Sequence, residues 1–373
     1  MTAPVPHWPG REVELAGGER VWVAETPPSP ARPAERDLVL CVHGMSGAAT
    51  NWTDLMAELA PDFDCAAVDL PGSGFSPPPR RNAGYSVSAQ AGTVIRAIEA
   101  LTSEAGQGAA NHGRKVHLVG NSMGGAVSVR VAARRPDLVE TLTLISPAMP
   151  DLKVRRAVAH FPVLALPFVG ERLVRTWAGR FPVENRVAGV FGTCFSDPSR
   201  LHPDRFVLEV AALRRRDGLS HDPASLVGAA RTLVLETLRP SPFSLWRAAG
   251  RVTAPSLVLF GSDDRLVHPR LADRAARVFR NARVRVLPET GHLAQMEWPD
   301  VVAALFREMV AEARSPGADT GIPTVVPELM HDEARTSLSW PAAGSDPPDH
   351  VRIRTFGHNK PDWSLHSVAA TAG

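Results

Sequence analysis

The sequence predicts an α/β protein: a mostly parallel sheet with helices on both faces, one helical insertion, and a tail that builds no core. Three observations carry this. Short runs rich in Val, Leu and Ile alternate with helix-length segments from residue 38 to residue 145. The alternation stops over residues 148–250, which read as helices rich in Arg, Ala, Leu and Pro, and resumes at Pro255. Beyond residue 315 the chain turns to Pro, Gly, Ser, Ala and His, a composition expected to be disordered. The segments are therefore 1–147 (first half of the core), 148–250 (insertion), 251–315 (second half of the core) and 316–373 (tail).

Residues 12–15 and 21–24, around Gly17-Gly18, read as an antiparallel hairpin that starts the sheet. Strands follow at 38–42 and 65–68, with a helix over 52–59 between them. Residues 88–101 have helical periodicity, 116–119 form the next apolar strand, and 123–134 are a helix of small and β-branched residues. The strand at 141–145 closes the first half at Ser146-Pro147. Strands at 255–260 and 284–288 and a helix over 300–314 make up the second half.

Composition narrows the function classes. Hydrophobic residues make up 44% of the 373, more than a disordered chain carries, and the net charge of +2 gives no nucleic-acid footprint. All but three of the 41 basic residues are arginine, the lysines being Lys115, Lys153 and Lys360, and the arginines are interleaved with acids along the chain. No apolar stretch nears the roughly 20 residues of a membrane span, and the start of the chain lacks a secretory signal, so a cytoplasmic location is expected. Cys41, Cys65 and Cys194 read as free buried thiols. No histidine has the spacing of a zinc or haem ligand, and Gly72-Ser73-Gly74 is too short for a dinucleotide fingerprint, so neither metal nor organic cofactor is expected.

The junction of the 116–119 strand with the following helix reads Gly120-Asn121-Ser122-Met123-Gly124-Gly125. A serine on so sharp a turn presents its hydroxyl over the end of the sheet, and small residues two before and two after it avoid clashes. Ser122 is the candidate nucleophile, with Gly120, Asn121 and Gly124 completing the turn. A serine hydroxyl needs a base and an orienting acid, each at the end of its own strand. The 255–260 strand runs into Gly261-Ser262-Asp263-Asp264, and the 284–288 strand into Glu289-Thr290-Gly291-His292. His292 is the candidate base, and Asp263 and Asp264 both stand where the acid is needed.

Serine, then aspartate, then histidine is the chain order of the α/β-hydrolase triad. With His43-Gly44-Met45-Ser46-Gly47 after the 38–42 strand and Asp69-Leu70-Pro71-Gly72-Ser73-Gly74 after 65–68, residues 10–315 resemble the α/β-hydrolase superfamily. The resemblance implies an eight-stranded, mostly parallel sheet, and makes residues 148–250 a cap over the nucleophile. It favours Asp264 as the acid, three residues after Gly261, and leaves Asp263 as a turn or capping residue. It implies an oxyanion hole from the backbone N–H groups of Met45 and Met123, with His43 shaping its loop without transferring protons.

A serine hydrolase that cleaves a carboxylic ester or thioester of a small or medium apolar substrate is the expected activity, through an acyl-enzyme intermediate. Aspartate-nucleophile members of the fold are excluded by Ser122. Gly120-Asn121-Ser122-Met123-Gly124-Gly125 also resembles hydrolases that cleave C–C bonds in aromatic ring-cleavage products, although Met45-Ser46-Gly47-Ala48 departs from their glycine-richer loop. A non-catalytic ligand-binding protein on the same fold is a third reading. Phe161, Phe168, Phe181, Phe191, Phe195 and Trp246 are available either to line an apolar pocket or to pack the cap, and Arg214, Arg215, Arg216 and Arg231 could hold a carboxylate. The expected partner is a small-molecule substrate, with neither nucleic acid nor a membrane span involved; the sequence leaves the oligomeric state open.

Overall fold

The structure, a computed structural model, describes residues 6–27, 36–103, 115–153, 155–166 and 168–314. The expected disordered tail at 316–373 lies outside the described residues. Eight strands form one sheet in the order β1-β2-β4-β3-β5-β6-β7-β8. They are β1 (Gly10–Leu15), β2 (Glu19–Glu25), β3 (Leu38–Val42), β4 (Asp64–Val68), β5 (Val116–Asn121), β6 (Val139–Ile145), β7 (Ser256–Gly261) and β8 (Ala282–Leu287). β1 and β2 pair antiparallel, β2 meets β4 antiparallel, and β3 to β8 run parallel. The hairpin strands run further than hydrophobic alternation alone marks, because the ion pairs Arg11–Glu25 (2.8 Å) and Arg20–Glu12 (2.9 Å) close their polar ends.

Parallel strands need helical crossovers, and these cover both faces. β3, β5 and β7 are accordingly buried along their whole length, which explains their unbroken apolar character in sequence. On one face lie α1 (Thr53–Leu59) and the last helix, Pro299–Ala313, around Trp52, Leu55, Phe63, Val302 and Phe306. Trp52 itself belongs to a 3₁₀ turn, Ala49–Trp52, that precedes α1. On the other face are α2 (Val87–Leu101) and α3 (Met123–Arg134), around Val94, Ile98, Val127 and Val131.

Between β6 and β7 the chain forms α4 (Phe161–Leu164), α5 (Val169–Arg180), α6 (Val183–Cys194), α7 (Pro203–Asp217) and α8 (Asp222–Leu238). Phe191 and Phe195 pack with Val187, Val210 and Met296, so these two phenylalanines hold this layer together and onto the sheet domain. α9 (Leu245–Ala249) lies in the main core through Leu245, Trp246 and Ala249. The remaining helices are α10 (Leu271–Val278), α11 (Ala294–Glu297) and α12 (Pro299–Ala313).

The strand order reverses at β3, which has β4 on one side and β5 on the other. At such a switch point the loops leaving the two central strands diverge and open a crevice beyond their carboxyl ends. The fold thus brings the loop after Val42 and the turn after Asn121 to one place. Their separation is set by Gly124, where a side chain would run into the carbonyl oxygens of Val42 and His43. Gly124→Ala should force α3 away from β3 and destabilise the protein by about 2 kcal/mol or more. Urea unfolding tests this, and an unchanged midpoint would show that the contact relaxes at no cost.

Candidate active site

Ser122 adopts φ 53° and ψ −119°, a conformation that L residues rarely hold. Three further non-glycine residues with positive φ, Ser46 (60°), Ser146 (43°) and Glu289 (47°), also follow the carboxyl ends of parallel strands. Backbone strain is thus concentrated along one edge of the sheet. Ser122 is held by its N–H, which donates to the Ile145 carbonyl (3.0 Å), and by its own carbonyl, which accepts from Ala126 (3.1 Å) and Ala148 (2.9 Å).

His292 and Asp264 meet at this edge. His292 Nδ1 lies 2.8 Å from Asp264 Oδ2, and both residues are buried. Asp264 Oδ1 accepts from the N–H groups of Leu266 (2.8 Å) and Val267 (2.9 Å). Burial alone would raise this carboxyl. The charge and hydrogen bond of His292, the Val267 amide and the Ser146 hydroxyl outweigh burial and hold it below the usual carboxylate range. An ionised Asp264 favours the His292 tautomer with its proton on Nδ1, which leaves Nε2 free to accept a proton. Asp263 is engaged elsewhere, accepting from the Ser196 hydroxyl at 2.5 Å.

Asn121 links the histidine to the turn: its Nδ2 donates to the His292 carbonyl (3.0 Å) and to the Ile145 carbonyl (3.1 Å). The loop after β3 completes the group. A side chain at Gly44 would lie 2.9 Å from the Ser122 Cβ, so this loop rests directly against the serine. Among the described residues, the N–H groups of Met45 and Met123 donate to no other group. His43 is buried, with Nδ1 2.7 Å from the Gly44 carbonyl and Nε2 accepting from Leu70 N–H (3.0 Å), an arrangement that shapes the loop.

Glu297 and Ser146 have no motif to announce them, and Asp69 stands in the Asp69–Gly74 motif with no role legible from it. Glu297 is buried, and its carboxylate accepts from Gly291 N–H (2.7 Å), Ser196 N–H (2.8 Å) and Asp197 N–H (3.0 Å). It ties the segment after α6 to the loop that carries His292, whose own N–H donates to Cys194 O at 2.5 Å. Asp69 accepts from Ala49 (2.6 Å) and Phe75 (2.7 Å) and joins the loops after β3 and β4; burial pushes its carboxyl up to about 6. Ser146, at the end of β6, supports Asp264. The signal in sequence was only their place just after a strand or beside the Gly-His pair.

A small polar cavity, with room for about one water-sized group, adjoins Ser46 and Met123 and is also lined by Tyr85, Gln90, Arg216 and Ser225. Gln90 Oε1 has no hydrogen-bond partner among the described residues. The four arginines that could hold a carboxylate are all engaged: Arg214 with Glu184, Arg215 with the Gly74 carbonyl, Arg216 with Asp222 and Ser46, and Arg231 with Ala165 and Glu171. Phe168 and Phe181 are exposed, so they line no pocket. Among the described residues, no group of three His, Cys, Asp or Glu could hold a metal ion.

A sequence profile of the alpha/beta hydrolase fold matches residues 37–299. The chain is 29% identical over 290 residues to a 2-hydroxy-6-oxononadienedioate/2-hydroxy-6-oxononatrienedioate hydrolase of Cupriavidus pinatubonensis, covering 75% of this chain and 87% of that one. It is 25% identical over 278 residues to a pimeloyl-[acyl-carrier protein] methyl ester esterase of Neisseria meningitidis, covering 73% and 92%. Its fold is shared with the crystallised 2-hydroxy-6-oxo-6-phenylhexa-2,4-dienoate hydrolase of a Rhodococcus species, at a TM-score of 0.64, 21% identity and coverage of 81% and 99%.

Burial lowers the pKa of His43 from 6.5 to about 4, so the folded protein favours the neutral ring. The stability this provides is fully present above pH 6.5 and is lost as pH falls toward about 4. His43→Gln, which keeps a donor and an acceptor, should flatten the acid side of the stability profile by up to about 1.4 kcal/mol per pH unit. Urea unfolding from neutral pH to pH 4 reads this, and an identical slope in the variant would contradict it.

Proposed function

The chain belongs to the α/β-hydrolase fold family, and on that premise we propose that it is a serine hydrolase acting on a carboxylic ester through an acyl-enzyme intermediate. The observation that carries this reading is the buried Asp264–His292 pair, 2.8 Å apart, tied through Asn121 to the strained turn that presents Ser122. In the proposed reaction, His292 Nε2 accepts the Ser122 proton as Oγ attacks the acyl carbon. Asp264 stabilises the imidazolium that forms. The N–H groups of Met45 and Met123, which donate to no other described residue, bind the oxyanion; such a donor is worth on the order of 3 kcal/mol. Collapse of the tetrahedral intermediate expels the alcohol, which takes its proton from His292. A water, deprotonated by His292, then attacks the acyl-enzyme and releases the acid.

The helices between β6 and β7 act as the cap in this reading. Their segment from Cys194 to Asp197 contacts the His292 loop through backbone hydrogen bonds and Glu297, so the cap and the base move as one unit. A thioester reacts through the same groups. Cleavage of a C–C bond beside a ketone is the second reading, favoured by the likeness to the Cupriavidus hydrolase, whose name gives a 6-oxo acid as its substrate.

Wild-type protein should hydrolyse p-nitrophenyl esters, with the preferred acyl length sizing the pocket, and Ser122→Ala should lower kcat by roughly 10⁴-fold or more. Folded wild-type protein that cleaves no ester in the series would reject the ester reading and shift the weight to the C–C reaction.

A further inference from the structure

α5 (Val169–Arg180) turns only part of its circumference toward the protein. Gly170 and Val174 are buried, and Glu171 is turned toward Arg231. On its outer side Val169, Leu173, Trp177 and the following Phe181 recur every four residues, and each is between 45% and 47% exposed. Such spacing stacks them on one face of the helix. Phe168, just before the helix, is 87% exposed with φ 62°, and Val163 and Leu166 extend the same apolar character. A surface helix whose core-facing side is already buried ordinarily carries polar residues there. A contiguous apolar stripe of this kind marks a contact surface.

The charges beside the stripe identify the contact. Arg172 and Arg180 are exposed beside the stripe, and neither has a carboxylate partner among the described residues, whereas Arg175 follows Glu171 by four residues and shares its side of the helix. The one acid of the helix, Glu171, lies on the inner side with Arg231. The outer face is therefore apolar and cationic together. Two copies of this chain meeting through it in a twofold contact would set arginine against arginine. An anionic lipid surface matches both features, with apolar side chains entering the acyl boundary and guanidinium groups held at the headgroups. No helix among the described residues is long and apolar enough to cross a membrane, and α5 has 12 residues, so the contact lies in the plane of the surface.

We propose that the outer face of α5, with Phe168, docks the protein peripherally on anionic phospholipid. This extends beyond the hydrolase reading and is tested without reference to activity. The full chain is mixed with vesicles of phosphatidylcholine, with and without phosphatidylglycerol, and binding is read by flotation. Wild-type protein should float with the phosphatidylglycerol vesicles, more weakly as salt is raised, and should bind pure phosphatidylcholine less. Leu173→Asp with Trp177→Asp, and separately Arg172→Glu with Arg180→Glu, should each weaken binding by about tenfold or more, since one basic residue at an anionic surface contributes on the order of fivefold. Circular dichroism checks that both variants stay folded, and the arginine variant leaves untouched the contact of the Trp177 ring with the Arg186 guanidinium (5.1 Å). Folded wild-type protein that binds neither vesicle, or variants that bind as wild type does, would overturn the proposal. So would a wild-type dimer that Leu173→Asp with Trp177→Asp converts to monomer without any effect on vesicles, which would assign the stripe to a second copy.

Discussion

The carboxyl edge of the sheet depends on one backbone constraint: β5 hands over to α3 at a single residue. Ser122 takes up the whole change of direction at φ 53°, a conformation that costs on the order of 1–3 kcal/mol. The cost is met by the hydrogen bonds from Ser122 to Ile145, Ala126 and Ala148, which fix the turn to β6, to the helix and to the start of the insertion. Because α3 begins at Met123, its first N–H groups have no partner inside the helix and face the crevice at the switch point. Relaxing this turn would remove at once the presentation of Ser122, the Met123 donor and the close approach of α3 to β3 that Gly124 permits.

Around that turn, buried carboxylates replace lost hydration with backbone N–H groups. Asp69, Asp264 and Glu297 each accept at least two, and each fixes a loop at the same edge. Burial raises all three, yet their outcomes differ. Asp69 reaches about 6 and Glu297 is raised, whereas Asp264 is lowered, because only Asp264 has an imidazole 2.8 Å away to favour its charge. The edge thus holds two carboxylates that fasten loops and one that holds an imidazole. This division explains why Asp264 and not Asp263 couples to His292: Asp263 is taken up by Ser196 on the segment after α6.

Much of this was legible in the chain. Apolar runs such as Leu38–Val42 and Ser256–Gly261 mark parallel strands because both of their faces are buried. Gly120, Ser122, Gly124 and His292 stand out because sharp turns at strand ends demand particular residues. Glu297 and Ser146 could not be read this way, since a lone acid or hydroxyl acquires its role only from the loops folded around it, and Asp69, though part of a motif, showed nothing of its bonds to Ala49 and Phe75. The aromatic residues of the insertion were ambiguous for a related reason. Periodicity places Leu173 and Trp177 on one helix face without saying whether anything covers it, and the structure leaves that face open while burying Phe191 and Phe195.

The proposed chemistry rests on Ser122 as an activated nucleophile. The direct measurement is reaction with a fluorophosphonate, in which the serine oxygen displaces fluoride from phosphorus, followed by mass spectrometry with fragmentation to place the adduct. Native protein should be labelled stoichiometrically at Ser122, and Asp264→Asn slowly, because the imidazole loses its orienting charge. Native protein that resists the reagent, or that carries the adduct on another serine such as Ser46 or Ser146, would contradict it.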